Sequence, residues 1–161
     1  MKTNRLWAPW RINYIRNPKG KGCIFCKAAK SKTEDLVIFK TEYSICMLNL
    51  YPYNNGHILI SPLRHLGRLS QLKDIETLDL FRVLGRTQSM LDKVLKPDGY
   101  NIGLNLSRSA GAGITGHIHI HIVPRWQGDT NFMPVINNTK VISQSLNELH
   151  KQLKNVGPKT N

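Results

Sequence analysis

The segment His117-Ile118-His119-Ile120-His121-Ile122-Val123 sets three imidazoles at alternate positions. In an extended strand this spacing puts the histidines on one face and the isoleucines on the other, with successive imidazoles roughly 6.5 to 7 Å apart. The isoleucines read as core. A solvated face would draw Thr, Lys and Glu, so three adjacent histidines point to chemistry: a metal site, or a nucleophile flanked by helpers. Neutral imidazole suits both, because its free nitrogen ligates zinc and attacks phosphorus near neutral pH.

Cys23-Ile-Phe-Cys26 supplies two thiols at zinc-ligand spacing. A tetrahedral site needs two more ligands, and the candidates are His57, His65 and one of the three strand histidines. The alternatives are an unligated pair and a redox pair, the latter disfavoured because no thioredoxin-like βαβ pattern surrounds the motif. With four ligands the metal is coordinatively closed, a staple and not a catalyst. Cys46 lies in an apolar run and reads as core. A third motif, Gly111-Ala-Gly113-Ile-Thr-Gly116, spells the dinucleotide fingerprint, but a strand follows it where that fingerprint needs a helix N-terminus facing a pyrophosphate. What survives is a glycine-rich loop whose free backbone amides, close to imidazoles, suit a phosphate. The sequons at Asn105 and Asn137 carry no weight in a chain without signs of secretion.

Strands and turns must position these groups. The β-rich runs Leu36 to Lys40, Tyr43 to Leu48 and His57 to Ser61 predict strands, with Tyr51 to Gly56 (YPYNNG) as the turn before the last of them. Apolar Ile75, Leu78, Phe81, Leu84, Leu91 and Leu95 recur at spacings of three, four or seven and predict one long helix, with Asp74 as N-cap and Pro97 as the stop. Two more strands follow, Tyr100 to Leu106 and His117 to Val123, then a helical pattern from about Ile142 to Leu153. Strands paired through turns, with helices on one side, indicate an α+β domain on an antiparallel sheet.

At 161 residues the chain is one domain. Residues 1–33 hold nine Lys or Arg and no acid, and read as an irregular basic arm carrying the cysteine pair, with residues 34–161 as the globular unit. No apolar run approaches the roughly 18 residues of a membrane span. The opening lacks the apolar core of a secretory signal, and Pro9, Pro18 and three aromatics spoil a transit-peptide helix. An odd number of cysteines argues the same way, so a cytoplasmic protein is expected. The net charge of +13 favours a polyanionic partner. One such partner is nucleic acid, its phosphates tracked by the arm and its bases stacked on Trp7, Trp10 and Tyr14.

HIHIHIV matches the histidine-triad (HIT) motif, His-φ-His-φ-His-φ-φ, at every position. The similarity runs from about Cys23 to Trp126, through the HILISP strand, the Pro62-Leu63-Arg64-His65 turn and the long helix. The chain therefore resembles the HIT superfamily. Its RLWAPWR opening, RSAGAGITGHIHIHIVPRW and the GDTNF that follows look most like the bacterial branch containing diadenosine tetraphosphate phosphorylases.

The resemblance implies a HIT-like fold, an antiparallel sheet of about five strands with one long helix and a C-terminal helix. It implies that His119 attacks the α-phosphorus of a nucleotide and is transiently nucleotidylated, while His121 contacts the phosphate and leaving group. It implies a structural zinc on Cys23, Cys26, His65 and His117, and no catalytic metal. Asn49 matches the ribose contact, its bland reading being a turn-forming Asn. Asn105 matches a residue near the α-phosphate, and the loop around Gly113 would supply backbone amides. Thr115 stands where many relatives carry a Gln-Ser pair, and is the side-chain hydroxyl expected near the triad. Trp126 either shapes the leaving-group pocket or lies at a surface or dimer contact. Substrates of this class are dinucleoside polyphosphates, with inorganic phosphate as co-substrate of a phosphorylase. A nucleoside phosphoramidase or a polyphosphate hydrolase is the alternative. Family members are usually homodimers.

Overall fold

The structure, a computed structural model, describes residues 22–31, 36–129 and 142–158. The basic run up to Lys21, with its three aromatics, lies outside them. In chain order come helix α1 (Ile24–Lys30), strands β1 (Val37–Lys40), β2 (Ser44–Leu48) and β3 (Ile58–Pro62), helix α2 (Asp74–Leu95), strands β4 (Gly99–Leu104) and β5 (Ile120–Arg125), and helix α3 (Leu146–Val156). The strands make one antiparallel sheet in the order β1-β2-β3-β5-β4. This is the expected HIT-like α+β architecture.

Both faces of the sheet centre are covered. Cys46 and Leu48 of β2 point into a cluster with Ile60, Leu80, Met90, Leu91, Ile122, Leu149 and Leu153, filled from α2 and α3. Ile45 and Met47 point the other way, to Phe25 of α1, Val37 and Leu59. Two-sided burial explains why SICML reads as a continuous run without alternation.

The arm was expected to be irregular, yet its described part contains α1. Seven residues are too few for a helix to hold by itself. Tertiary contacts hold it: Phe25 is fully buried, and the Lys40 ammonium donates to the carbonyls of Ala29 (3.0 Å) and Ser31 (3.4 Å) at the helix end. Helix α3 starts at Leu146, four residues later than expected, where the Ser145 hydroxyl accepts the Glu148 N–H.

The long helix corrects one expectation. Its N-cap is Lys73 and not Asp74, because the Glu76 carboxylate already accepts the Lys73 N–H at 2.8 Å. The Arg64 guanidinium donates twice to the same carboxylate, at 2.7 and 2.8 Å, and holds its pKa down to about 2. That pair ties the Pro62–His65 turn to the start of α2. Of the six apolar residues whose spacing predicted the helix, Leu84, Leu91 and Leu95 pack against the core. Ile75, Leu78 and Phe81 are exposed, and the buried stripe runs through Glu76, Leu80, Val83, Thr87, Met90 and Leu91. Two polar members hid that stripe, and an apolar one on another face imitated it.

The triad strand was expected from His117 to Val123, but the ladder begins at Ile120. Register continued from Ile58↔Ile122 and Ile60↔Ile120 would bring Pro62 opposite Ile118, and proline has no N–H to give. Ile118 bonds elsewhere: its N–H goes to Leu66 O at 2.8 Å, and its carbonyl accepts the Ser61 hydroxyl at 2.9 Å. The chain here lies outside the ladder, and the Leu63–Leu66 turn is drawn alongside His117.

Candidate functional site

Alternation survives this departure. Ile118, Ile120 and Ile122 are buried, and the three histidines share the opposite face. The imidazoles lean together: the rings of His119 and His121 are 4.9 Å apart, nearer than the strand spacing alone would set them. Phe25 of α1 lies against His117 (5.1 Å) and His119 (5.0 Å). The helix that brings the cysteines thus also walls the triad.

At one end of the row, Cys23, Cys26, His65 and His117 place one ligand atom each within 4.8 Å of one another. The Sγ of Cys23 is 3.2 Å from His117 Nδ1, and the Sγ of Cys26 is 3.3 Å from His65 Nδ1 and 3.6 Å from His117 Nδ1. A tetrahedral zinc with ordinary Zn–S and Zn–N bonds needs S···N edges of about 3.6 Å. His117 Nε2 donates to Pro62 O at 2.8 Å, which leaves Nδ1 unprotonated toward the thiols. Donor types, spacing and the Pro62 carbonyl that orients His117 all fit a metal. Of the histidines that spacing left open, the structure brings His65 and His117 to the cysteines and leaves His57 out.

His57 stands at the other end. Its Nδ1 accepts the Tyr53 backbone N–H at 3.0 Å and the Asn49 Nδ2 at 3.1 Å, and its Nε2 lies 2.9 Å from His121 Nδ1. A backbone amide only donates, so this chain has one polarity. With Nδ1 of His57 an acceptor, its Nε2 carries the proton and gives it to His121 Nδ1. His121 in turn is protonated on Nε2, a buried atom with no partner among the described residues. Asn49 obeys the same rule, since the Tyr51 N–H at 3.0 Å can be accepted only by Oδ1. The family resemblance assigned no role to His57, and its pairing across strands could not be read from spacing.

His119 donates Nδ1–H to the His117 carbonyl at 2.9 Å, so its Nε2 keeps the lone pair. Burial pushes the imidazole below its ordinary pKa, only partly offset by that bond. Burial, reinforced by the neighbouring imidazoles, lowers His57 to about 3 and His121 to about 4. Near neutral pH the site therefore holds neutral imidazoles: a free lone pair on His119 Nε2 and, in the adjacent ring, a buried, unpartnered N–H on His121.

The remaining expected residues are more dispersed. Gly113 and Thr115 line a cavity of about 540 Å³ with Cys23, His65 and Arg108, beside the Cys–His cluster. Thr115 is exposed, and Asn105 is half-buried just past the end of β4. Trp126 is half-buried in the turn after β5, its N–H 3.3 Å from Asp129 Oδ2.

Comparison with known proteins agrees with this geometry. The family model described as HIT domain matches residues 30–128. The AP-4-A phosphorylase of Mycobacterium tuberculosis is 37% identical over 159 residues, 92% of this chain and 82% of that protein. The adenosine 5'-monophosphoramidase of Saccharomyces cerevisiae is 30% identical over 131 residues, 81% of this chain and 80% of that protein. A Zn-bound histidine triad family protein from Mycobacterium smegmatis shares the fold. It superposes with a TM-score of 0.67 at 24% identity, covering 83% of this chain and 91% of its own.

Proposed function

Because the chain belongs to the HIT domain family of nucleotide-processing enzymes, we propose that it cleaves dinucleoside polyphosphates by nucleotidyl transfer through His119, as a phosphorylase. The observation that carries this is the neutral His119, its Nδ1–H spent on the His117 carbonyl and its Nε2 free beside the N–H of His121.

In the first step the Nε2 lone pair forms a bond to the α-phosphorus, and the bond from phosphorus to the bridging oxygen breaks. The departing polyphosphate takes the electron pair and accepts a hydrogen bond from His121 Nε2–H, so no proton need move. His119 is left as a nucleotidyl-imidazolium whose Nδ1–H still meets a carbonyl, which spreads the new positive charge. In the second step an oxygen of inorganic phosphate attacks the same phosphorus, and the N–P electron pair returns to Nε2. Asn49 has spent one N–H and one lone pair inside the protein, which leaves one of each for a ribose diol. Thr115, Asn105 and the amides around Gly113 border the phosphate path in this reading, and Trp126 borders the leaving group.

Cys23, Cys26, His65 and His117 would hold zinc. Such a site is closed, so the metal supplies a cross-link between α1, the Pro62–His65 turn and the triad segment, with no position for substrate. Thiolate ligands persist in a reducing compartment, consistent with a cytoplasmic enzyme.

Incubation with diadenosine tetraphosphate, with and without inorganic phosphate, separates the reaction classes by mass spectrometry of the products. ADP formed only with phosphate is expected. AMP in both conditions would make the enzyme a hydrolase, and no turnover would favour phosphoramidates.

We also assign the chain to a homodimer. Edge strand β4 exposes Ile102 and Leu104, and α2 exposes Ile75, Leu78 and Phe81, the last at 65%. An open strand edge together with a large apolar patch suits two-fold pairing with a second copy. Sedimentation equilibrium should return twice the monomer mass, and Phe81→Asp should return it to one. A monomeric wild type would reject this assignment.

A further inference from the structure

Tyr53 is an aromatic ring that the core does not need and the loop does not release. The residue is 58% exposed, while every residue from Asn54 to Pro62 is buried. One face is occupied by the site: the ring lies parallel to that of His121, 5.9 Å away at 13°, and tilted against His57 at 4.6 Å. Its N–H is held by His57 Nδ1.

The loop that carries it is anchored on both sides. Asn54 donates through Nδ2 to Pro124 O at 3.1 Å and to Asp129 Oδ2 at 2.8 Å. Gly56, at φ +76, sits where a Cβ would come within 2.5 Å of a Leu95 methyl and 2.9 Å of the Pro124 ring. Asp129 also accepts the Trp126 N–H and is paired with Arg125 at 2.6 Å, so the Tyr53 loop and the Trp126 turn share one anchor. An exposed ring fixed in this way is preorganised for a planar ligand, because the entropy of ordering it has already been spent in folding.

We propose that Tyr53 is the stacking platform for the base of the departing nucleotide, and so selects substrates with a second nucleoside. The inference rests on the dinucleoside polyphosphate reading of the site. In an in-line displacement the leaving oxygen lies opposite His119 Nε2, and the donor poised for it is His121 Nε2–H. Tyr53 covers the ring of that same histidine, so the polyphosphate leads from His121 toward it. Its outer face is the aromatic surface that the second nucleoside meets, and stacking there is tolerant of which base arrives.

The test compares diadenosine tetraphosphate with adenosine 5'-tetraphosphate, which has the same phosphate chain and no second nucleoside. The measured quantity is the ratio of their kcat/KM values in wild type, Tyr53→Ala and Tyr53→Phe. Loss of one stacked base is worth about 5- to 150-fold, so Tyr53→Ala should lower the ratio by a factor in that range and Tyr53→Phe should keep it. A ratio unchanged by Tyr53→Ala would overturn the proposal, including the case where both substrates slow equally because the ring only braces His57 and His121. The affinities of both compounds for His119→Ala, with and without Tyr53→Ala, give the same comparison without turnover. If wild type processes neither compound and His119→Ala binds neither, the underlying reading fails and the platform falls with it.

Discussion

Replacing His119 by Ala should lower kcat by a factor on the order of 10⁴ to 10⁶, the range in which removal of a nucleophile leaves only binding and charge stabilisation. The loss follows from geometry, since no other described nitrogen in the row combines a free lone pair with a charge-accepting partner behind it. His117 directs Nδ1 at the cysteines, and His121 has its Nδ1 occupied by His57. Truncating a buried imidazole costs some stability, so folding must be followed separately by circular dichroism and thermal unfolding. His119→Asn is the closer control, as its amide can still donate to the His117 carbonyl while offering no nucleophile. Intact-mass spectrometry should show a nucleotidyl-enzyme in wild type and none in either variant. Turnover retained by either one would sink the nucleophile assignment.

Cys23→Ser should have the second largest effect, on metal content and stability. A serine hydroxyl stays protonated where a thiolate ligates, so the closed site loses a ligand and much of its affinity. Structural zinc contributes on the order of 10 kcal/mol of apparent binding free energy in small domains. A chain of this size shifts Tm by about 2–4 °C per kcal/mol. Losing even a third of that contribution should lower Tm by about 10 °C, and zinc measured by elemental analysis should fall well below one per chain. Chelation of wild type should reproduce the shift and leave the variant little changed. A full complement of tightly held zinc in Cys23→Ser would reject the ligand set.

The structural consequence of such a staple reaches the catalytic row. Helix α1 is held to the sheet by Phe25 and by Lys40, and Phe25 is also the wall behind His117 and His119. Loosening the cysteines would therefore free the ring that packs against the proposed nucleophile. Activity should fall with metal loss even though no step passes through the metal.

Residue type and local spacing determined much of this protein. The alternating histidines with isoleucines between them, the Cys-x-x-Cys pair and the turn before His57 are local patterns, and each lies where its periodicity requires. Five strands and a long helix followed from the same logic, because period and turn chemistry act over a few residues. The failures were those in which distant contacts outweigh local pattern. The buried stripe of α2 includes Glu76 and Thr87, which find partners in Arg64, Lys73 and the Val83 carbonyl, so polarity misreported their burial. The short α1 forms because Phe25 has a cluster to enter. The triad strand begins late because Pro62, more than 50 residues earlier in sequence, has no N–H to offer.

Spacing left the choice among the histidines open; the family resemblance implied it, and tertiary structure supplies the physical reason. Spacing allowed His57 and His65 equally as partners of the cysteines. The Ile118 N–H bond to Leu66 O draws the His65 turn beside His117, while the β3–β5 register carries His57 to His121 at the opposite end. Backbone N–H groups of Tyr51 and Tyr53 then orient Asn49 and His57, and through them decide which nitrogen of His121 bears the proton. Sequence determined that imidazoles would line one face. The fold sets His117 against the cysteines, His119 on the His117 carbonyl and His121 against His57, and a histidine's chemistry depends on what its other nitrogen touches.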